Sequence, residues 1–279
     1  MKIDVATERI LVLKDQISPS EAEQLAWDKK LSAFGTISQM TGFFSRPKDE
    51  DYELTYSEHR YVPFWHVVAK ARYVYDRNTS YQVPTGGKEV KSVTLHETDY
   101  PETSGHIHIP VTEHCVQDEI DEVYVDGLTT KADPKLGGYT NYSHTVVDGR
   151  IEKSIPKDSL VVPPSARVSA IMRDSLSKMI KGIQADKILE EHVEVATIEL
   201  YYRPIYAFKY NWIPKGKEGI LELDGVTGAI SSGSRVFTEY LGKALDQDFL
   251  FDIGADAAGM LVPGGSIAVK AARKYMSKK

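Results

Sequence analysis

Hydrophobic residues recur at helical spacing in two stretches of the chain, one in each half. The first stretch follows Ser18-Pro19-Ser20-Glu21, where a cap residue, a proline at the first helical position and a glutamate three residues after the cap form a capping-box pattern. The second stretch follows Pro163-Pro164-Ser165. Its apolar positions are spaced by threes and fours, as on one face of a helix: Val168, Ile171, Met172, Leu176, Met179, Ile180 and Ile183. Each half is therefore predicted to contain one amphipathic helix.

Two further patterns recur in the same order and are typical of β-strands. The motif Tyr-x-Pro-apolar-aromatic-x-apolar covers residues 61–67 and again residues 202–208. Proline inside such a run predicts an edge strand or a bulge, because proline cannot donate to a neighbouring strand. A strand that runs into an Asp-Gly turn ends at Asp126-Gly127 and again at Asp224-Gly225. The repeated order indicates a duplication, although short motifs of this kind also recur by chance.

The repeated patterns predict the fold class and the division of the chain. We expect an α+β protein of two tandem related modules, each a helix packed on an antiparallel β-sheet, followed by a C-terminal helical tail. The first module is predicted to span residues 1–152 and to carry an inserted β segment near residues 77–118, where its motifs lie much further apart than those of the second half. The second module is predicted at 153–232 and the helical tail at 233–279.

The second half resembles a known family between residues 202 and 230. The residues that carry the resemblance run from Tyr202 through Lys209-Tyr210-Asn211-Trp212 and Gly216-Lys217-Glu218-Gly219 to the strand that ends in Asp224-Gly225-Val226-Thr227-Gly228. This stretch is similar to a PepSY domain, whose last strand ends in an acidic residue, a small residue and Thr-Gly. The resemblance implies a small non-catalytic module that binds a partner. PepSY domains usually work outside the cytoplasm, and some inhibit proteases.

Composition and charge remove several function classes. A single cysteine, Cys115, excludes an intramolecular disulfide and any multi-cysteine zinc or iron–sulfur site. A net charge of −6 gives no electrostatic reason to bind nucleic acid. Asp4 and Glu8 stand where a secretory signal would need an apolar run, so we expect a cytoplasmic protein.

The stretch from Gly105 to Cys115 is the candidate for metal chemistry. Residues two apart in a strand point to the same face about 6.5–7 Å apart, so His106 and His108 could ligate one metal ion. A turn at Pro110 would then have to bring Glu113 or His114 back to them. The pattern resembles the first metal motif of cupins, but the cupin glycine spacing and second motif are missing. Alternatively, the histidines only alternate with apolar residues on a half-exposed strand.

Aromatic residues concentrate in the two Tyr-x-Pro strands and allow two interpretations. Such residues fill the cores of β-sheets, and tyrosine and tryptophan also anchor protein–protein interfaces. The candidates for an interaction surface are Tyr61, Trp65, Tyr202, Tyr206 and Trp212.

The C-terminal segment 233–279 offers a second candidate for contact. Its small residues allow close helix approach, and its last turns carry lysines that suit the helix dipole. It could dock on a sheet of the same chain, on a partner or on an anionic membrane surface. Basic residues without bulky apolar anchors support only weak membrane binding, so contact with protein is favoured.

These observations predict a non-catalytic binding, scaffold or regulatory protein that acts through a protein partner or through self-association and needs no cofactor. The alternative is a metal-dependent hydrolase or oxygenase that uses the His106 and His108 cluster with a divalent transition metal.

Overall fold

The computed structural model describes residues 2–34, 48–180 and 182–232, and β-strands make up most of this part of the chain. The strands are β1 (Lys2–Val5), β2 (Arg9–Leu13), β3 (Tyr52–Pro84), β4 (Ser92–Leu95), β5 (Thr98–Pro101), β6 (His106–Asp126), β7 (His144–Val146), β8 (Leu160–Val161), β9 (Lys187–Trp212), β10 (Lys217–Asp224) and β11 (Ile230–Ser232). The α-helices in the same residues are α1 (Pro19–Asp28) and α2 (Val168–Met179). Short 3-10 helices lie at Lys30–Phe34, Asp49–Asp51, Pro134–Asn141, Ile151–Lys153 and Ile213–Lys215.

Two long strands, β3 and β9, form the centre of a nine-stranded mixed sheet. They pair antiparallel from Tyr52 opposite Trp212 to Asp76 opposite Lys187. The outer edge of β3 pairs with β8 in parallel and then with β6 in the antiparallel sense. The outer edge of β9 pairs with β1 and β2 in parallel and with β10 in the antiparallel sense. Strands β7 and β11 extend the sheet beyond β2 and β10, and β4 and β5 form a separate hairpin.

The predicted fold class is wrong, because the two halves share one sheet. We expected two tandem α+β modules, each with a helix on its own antiparallel sheet. Instead, the two Tyr-x-Pro strands bond to each other, with Tyr61 opposite Pro204 and Pro63 opposite Tyr202. The chain is mostly β, and three of the strand pairings are parallel. The predicted boundary between residues 152 and 153 stays a prediction, and the tail at 233–279 lies outside the described residues.

Both predicted helices are confirmed. The Ser18 hydroxyl accepts from the Glu21 amide at 3.3 Å, and the Glu21 carboxylate accepts from the Ser18 amide at 2.9 Å, so the capping box is closed. Helix α2 buries Met172 and Leu176 of the predicted apolar face.

Each helix packs on the strands of the other half of the chain. Helix α1 buries Ala22 and Ala26 in a cluster with Phe208 of β9 and Leu221 of β10. Helix α2 lies in the largest cluster with residues of β3, among them Trp65. The strands that precede the helices likewise pair with strands of the other half of the chain. Thus β2 places Val12 opposite Tyr202 of β9, and β8 places Val161 opposite Tyr61 of β3.

The prolines of the Tyr-x-Pro motifs lie in central strands, and the register between β3 and β9 does not shift beside them, so the expectation of an edge strand or a bulge was wrong. On the outer edge of β3, the neighbour changes from β8 at Tyr61 to β6 at Phe64, and Pro63 lies between them. Pro204 lies at the corresponding change on β9, between β2 and β10. Because the ladder is interrupted at each change of neighbour, a residue without an N–H is tolerated there.

The two Asp-Gly turns are confirmed and have the same conformation. In each turn, the aspartate Oδ1 accepts from the backbone N–H groups two and three residues later, at 2.7 to 3.0 Å. The residue four positions after the aspartate has a positive φ, 60° at Thr130 and 73° at Gly228. Together with the central pairing, these equivalences place an approximate two-fold axis beside the Val62–Arg203 pair.

The glycine of each turn lies directly against the proline of its own half. The Gly127 amide donates to the Pro63 carbonyl at 3.0 Å, and the Gly225 amide donates to the Pro204 carbonyl at 2.9 Å. A Cβ atom on Gly127 would lie 2.6 Å from the Pro63 carbonyl oxygen, which is backbone and cannot rotate away.

We expect Gly127→Ala to destabilise the protein by about 1–3 kcal/mol, because the added methyl group forces the turn away from β3. The matched control is Gly86→Ala, since a Cβ atom there has no neighbour within 4 Å. Urea denaturation of both variants measures the difference. Equal midpoints for the two variants would contradict the close approach.

The hairpin of β3 and β6 extends beyond the rest of the sheet. Past Asp76, where β9 begins, residues 77–84 pair only with residues 106–113. The β4–β5 hairpin lies between these two strands in sequence. We call residues 77–113 the arm.

No helix in the described residues is both long enough and apolar enough to cross a membrane.

Candidate functional site

The predicted metal ligands lie along β6 and are not brought together. His106, His108 and His114 point to one face of the strand, and Glu113 points to the other. The strand continues straight through Pro110, so His114 lies about 20 Å from His108.

Glu113 and His114 already have partners within the chain. The His114 Nδ1 atom lies 2.7 Å from the Asp76 carboxylate on β3. Arg77 and the Tyr81 hydroxyl donate to Glu113 at 2.7 and 2.9 Å, and these bonds lower the pKa of Glu113. Within residues 2–34, 48–180 and 182–232, no three His, Cys, Asp or Glu side chains are grouped closely enough to hold a metal ion. Metal binding stays a prediction that this geometry does not support.

The five aromatic candidates for an interaction surface are all buried. Their exposed fractions do not exceed the 4% of Tyr206. Tyr61, Trp65 and Tyr202 lie in the cluster that contains α2, and Tyr206 lies in the cluster that contains α1. Trp212 packs against Tyr52, with the ring centroids 5.3 Å apart. A partner would reach them only after the core opens, so their role in binding stays a prediction.

A histidine between two carboxylates forms a polar cluster on the sheet. The His66 Nδ1 atom lies 3.0 Å from Glu199, and its Nε2 atom lies 2.9 Å from Glu122. The Tyr201 hydroxyl donates to Glu199 at 3.0 Å, and Arg9 pairs with the same carboxylate. Four strands supply these groups, because β6, β3, β9 and β2 are adjacent in this order at this point of the sheet.

The pKa values of this cluster show that it holds charge. The hydrogen bond from His66, with those from Arg9 and Tyr201, lowers the pKa of Glu199 to about 2 although burial opposes the shift. Burial alone would lower the pKa of His66, but its bonds to Glu199 and Glu122 raise it. Both ring nitrogens of His66 face carboxylates, which favour the protonated ring. In that form the imidazole offers no lone pair for a metal or for general base catalysis.

A second polar cluster contains a serine, a histidine and an aspartate. The Ser159 hydroxyl lies 2.8 Å from His59 Nδ1, and the Tyr61 and Tyr206 hydroxyls donate to Asp15 at 3.0 and 2.9 Å. A cavity of about 190 Å³ adjoins Ser159.

This second cluster lacks two features of a serine hydrolase site. The His59 Nε2 atom lies 3.0 Å from the Asp15 carboxylate and, against the effect of burial, lowers the pKa of Asp15, but its N–H is not aligned with the carboxylate as in a serine hydrolase triad. The Ser159 amide already donates to the Pro156 carbonyl at 3.1 Å and is not free to stabilise an oxyanion.

The outer edge of β6 has a defined direction for its backbone groups. The Asp126 amide donates to the Lys131 carbonyl, and the Tyr124 carbonyl accepts from the Asp133 amide, both at 2.9 Å and both away from β3. The register between β3 and β6 has no shift over its whole length. Because backbone direction alternates along a strand, all even-numbered residues of β6 point their N–H and C=O groups outward.

These outward groups are unpaired in the middle of the strand. From Thr112 to Glu122, none of the even-numbered residues has a backbone partner among the described residues. We call this stretch the free edge. Pro110 bounds it at one end, because its outward position carries no N–H group. The bridge between Val125 and Ala132 bounds it at the other end.

The side chains of the free edge include two unusually exposed apolar residues. Val116 is 59% exposed and Ile120 is 68% exposed. They share one face with the charged Asp118, which bonds to Arg72 of β3 at 2.9 Å. Sequence analysis did not single out Val116 and Ile120. The residues from Val111 to Glu122 show no regular alternation of apolar and polar types, so sequence periodicity provided no signal for these two residues.

Comparison of the chain with models of protein families, with curated proteins and with solved structures gives no match. The resemblance to PepSY domains therefore depends on the residues between 202 and 230 alone and stays a prediction.

Proposed function

We propose that the protein acts by binding rather than by catalysis, and that its binding surface is the free edge of β6. An extended strand of a partner protein adds to this edge and continues the sheet. The observation that carries the proposal is the row of outward N–H and C=O groups from Thr112 to Glu122, which none of the described residues pairs.

The chemistry of the edge suits strand addition. Backbone hydrogen bonds to an added strand give affinity, and side chains on alternate positions give specificity. Val116 and Ile120 provide apolar contact on one face, while His114, Asp118 and Glu122 provide charges at intervening positions of the same face. Exposed edges of this length are usually covered or protected in soluble proteins, so an open edge favours a binding role.

The polar clusters support a non-catalytic interpretation. His66 is held between two carboxylates, and His59 is not aligned with Asp15. The partner-binding precedent that the PepSY resemblance implies agrees with this proposal. The single free cysteine fits a reducing compartment, and we propose the cytoplasm as the place where binding occurs.

The alternation of the strand provides a sharp test. Val116→Pro removes one outward N–H group and leaves the hydrogen bonds to β3 in place, because the amide of Val116 points away from β3. Pro110 already occupies an equivalent outward position on the same strand. Val116→Thr is the matched control, since threonine keeps the N–H group and the β-branched shape.

The measurement is selection of 12-residue peptides from a display library against the wild-type protein. We expect binders of alternating polarity whose affinity falls at least tenfold in Val116→Pro and stays within about threefold in Val116→Thr. Circular dichroism verifies that both variants are folded. Equal binding to the proline variant, or no selected binder, would overturn the proposal.

A further inference from the structure

We infer that the strand that adds to the free edge is the same edge of a second copy of this chain, paired antiparallel about a two-fold axis at Val116. This inference rests on the proposed function and names its partner. It follows from three properties of the free edge: its backbone direction, its charges and its limits.

The backbone direction allows the edge to pair with itself. Two copies of β6 placed antiparallel both present the even-numbered residues, so N–H groups of each strand face C=O groups of the other. With the axis at Val116, His114 lies opposite the partner's Asp118 and Thr112 lies opposite the partner's Ile120. The pairing supplies about ten backbone hydrogen bonds.

Polar side chains suit this register. His114 and Asp118 are both exposed, each already paired within its own chain with Asp76 and Arg72, and the two-fold axis brings them together twice. Val116 lies opposite the partner's Val116, so two exposed apolar side chains cover each other. On the opposite face Glu113 meets the partner's Glu119, and Arg77 already pairs with the carboxylate of Glu113.

A register with its axis at Asp118 is the main competitor. It would pair Val116 with the partner's Ile120 and His114 with the partner's Glu122, but it places Asp118 opposite the partner's Asp118 at the axis itself, and like charges in direct opposition destabilise a strand pair. An axis at Gln117 would place Val116 opposite the partner's Asp118 and Ile120 opposite the partner's His114, so that apolar residues face charged ones.

The limits of the edge match the length of this pairing. With the axis at Val116, Pro110 lies opposite the partner's Glu122, and the missing N–H of the proline ends the ladder there. Beyond Glu122 the strand is already paired through the bridge at Val125. The outward N–H and C=O groups that are unpaired in one copy therefore lie opposite the corresponding groups of the other copy.

The register predicts a specific cross-link. With the axis at Val116, Cys115 lies opposite the partner's Gln117 at a position without mutual hydrogen bonds, where Cα atoms are about 4.5 Å apart. That distance lies within the range of disulfide bonds. We therefore expect Gln117→Cys to form a covalent dimer through Cys115 on mild oxidation. The double variant Cys115→Ser/Gln117→Cys is the control and should remain uncross-linked.

The experiment combines analytical ultracentrifugation of the full chain with non-reducing electrophoresis. Supporting results are a wild-type dimer, at least a tenfold weaker dimer in Val116→Pro, and a cross-link in Gln117→Cys that the double variant lacks. The inference would be overturned if ultracentrifugation found the wild-type protein to be monomeric at a concentration 100-fold above that used to measure peptide binding.

Two further outcomes locate a failure. A dimer that Val116→Pro leaves intact would show that the free edge is not the interface. A cross-link that persists in the double variant would show that Cys115 does not lie opposite the partner's Gln117. If selected peptides bind the free edge while the chain stays monomeric, this inference fails and the proposed function stands. If no peptide binds and the chain is monomeric, both fail.

Discussion

Trp65→Ala is expected to lower the free energy of unfolding by about 3–5 kcal/mol, the range for removing a large aromatic side chain from a core. Trp65 is 1% exposed and lies in the cluster that joins β3 to α2. Its indole N–H also donates to the Ala166 carbonyl at 2.9 Å, just before the helix. The substitution therefore leaves a cavity and an unpaired buried carbonyl.

Urea denaturation followed by far-ultraviolet circular dichroism measures this loss. Trp65→Phe is the informative control, because it keeps most of the ring contacts and removes the hydrogen bond. We expect it to cost about 1–2 kcal/mol. A loss below about 1 kcal/mol for Trp65→Ala would mean that α2 does not depend on this contact with the sheet.

Glu199→Gln is expected to cost about 3 kcal/mol at pH 6. The carboxylate is 5% exposed, and His66 holds its pKa near 2 instead of 4.5. Each unit of this difference corresponds to about 1.4 kcal/mol of stability. A group with a lowered folded-state pKa stabilises the protein above its unfolded pKa. Its contribution is therefore complete above about pH 5 and is lost as the pH falls toward 2.

The effect of His66 has the opposite sign. Its pKa is raised in the folded state, so its contribution is present below the unfolded value of 6.5 and is lost as the pH rises through the folded value. The cluster is consequently most stabilising between about pH 5 and 6.5.

Unfolding of wild type and Glu199→Gln between pH 2 and 8 checks both signs. The difference between the two proteins should shrink below pH 4. Glu190→Gln is the control, because this carboxylate on the same strand is about half exposed and its ion pair with Arg72 is long, at 3.7 Å. A difference that stays constant down to pH 2 would contradict the assignment of charge to Glu199.

The sequence predicted those elements whose causes are local. The capping box at Ser18, the apolar face of α2 and the turn at Asp126 each depend on residues within a few positions of one another, and all three form as expected. The pairing of Tyr61 with Pro204 joins residues from opposite halves of the chain. No local pattern specifies such a partner, so the single mixed sheet was not predicted.

The metal hypothesis failed to gain support for a related reason. The local rule was right that His106 and His108 share a face. The hypothesis also needed a turn at Pro110, and the strand continues there because the nitrogen of that proline faces outward, where no ladder bond is lost. The side to which a residue's backbone points depends on the pairing with β3, which spacing alone does not reveal. The free edge was not predicted for the same reason, because the outward direction of its N–H and C=O groups also depends on the pairing with β3.

The exchange of strands between the halves sets the order in which a newly made chain can finish folding. Residues 52–180 contain β3, β6, β8 and α2, but the other edge of β3 stays unpaired until β9, which begins at Lys187, is made. Arg9 in β2 must wait for Glu199, which is 190 residues further along the chain. At about 5–20 residues per second, this delay is about 10–40 s. During that interval β2 and α1 lack their site on the sheet, so the N-terminal segment cannot complete its pairing until β9 and β10 are made.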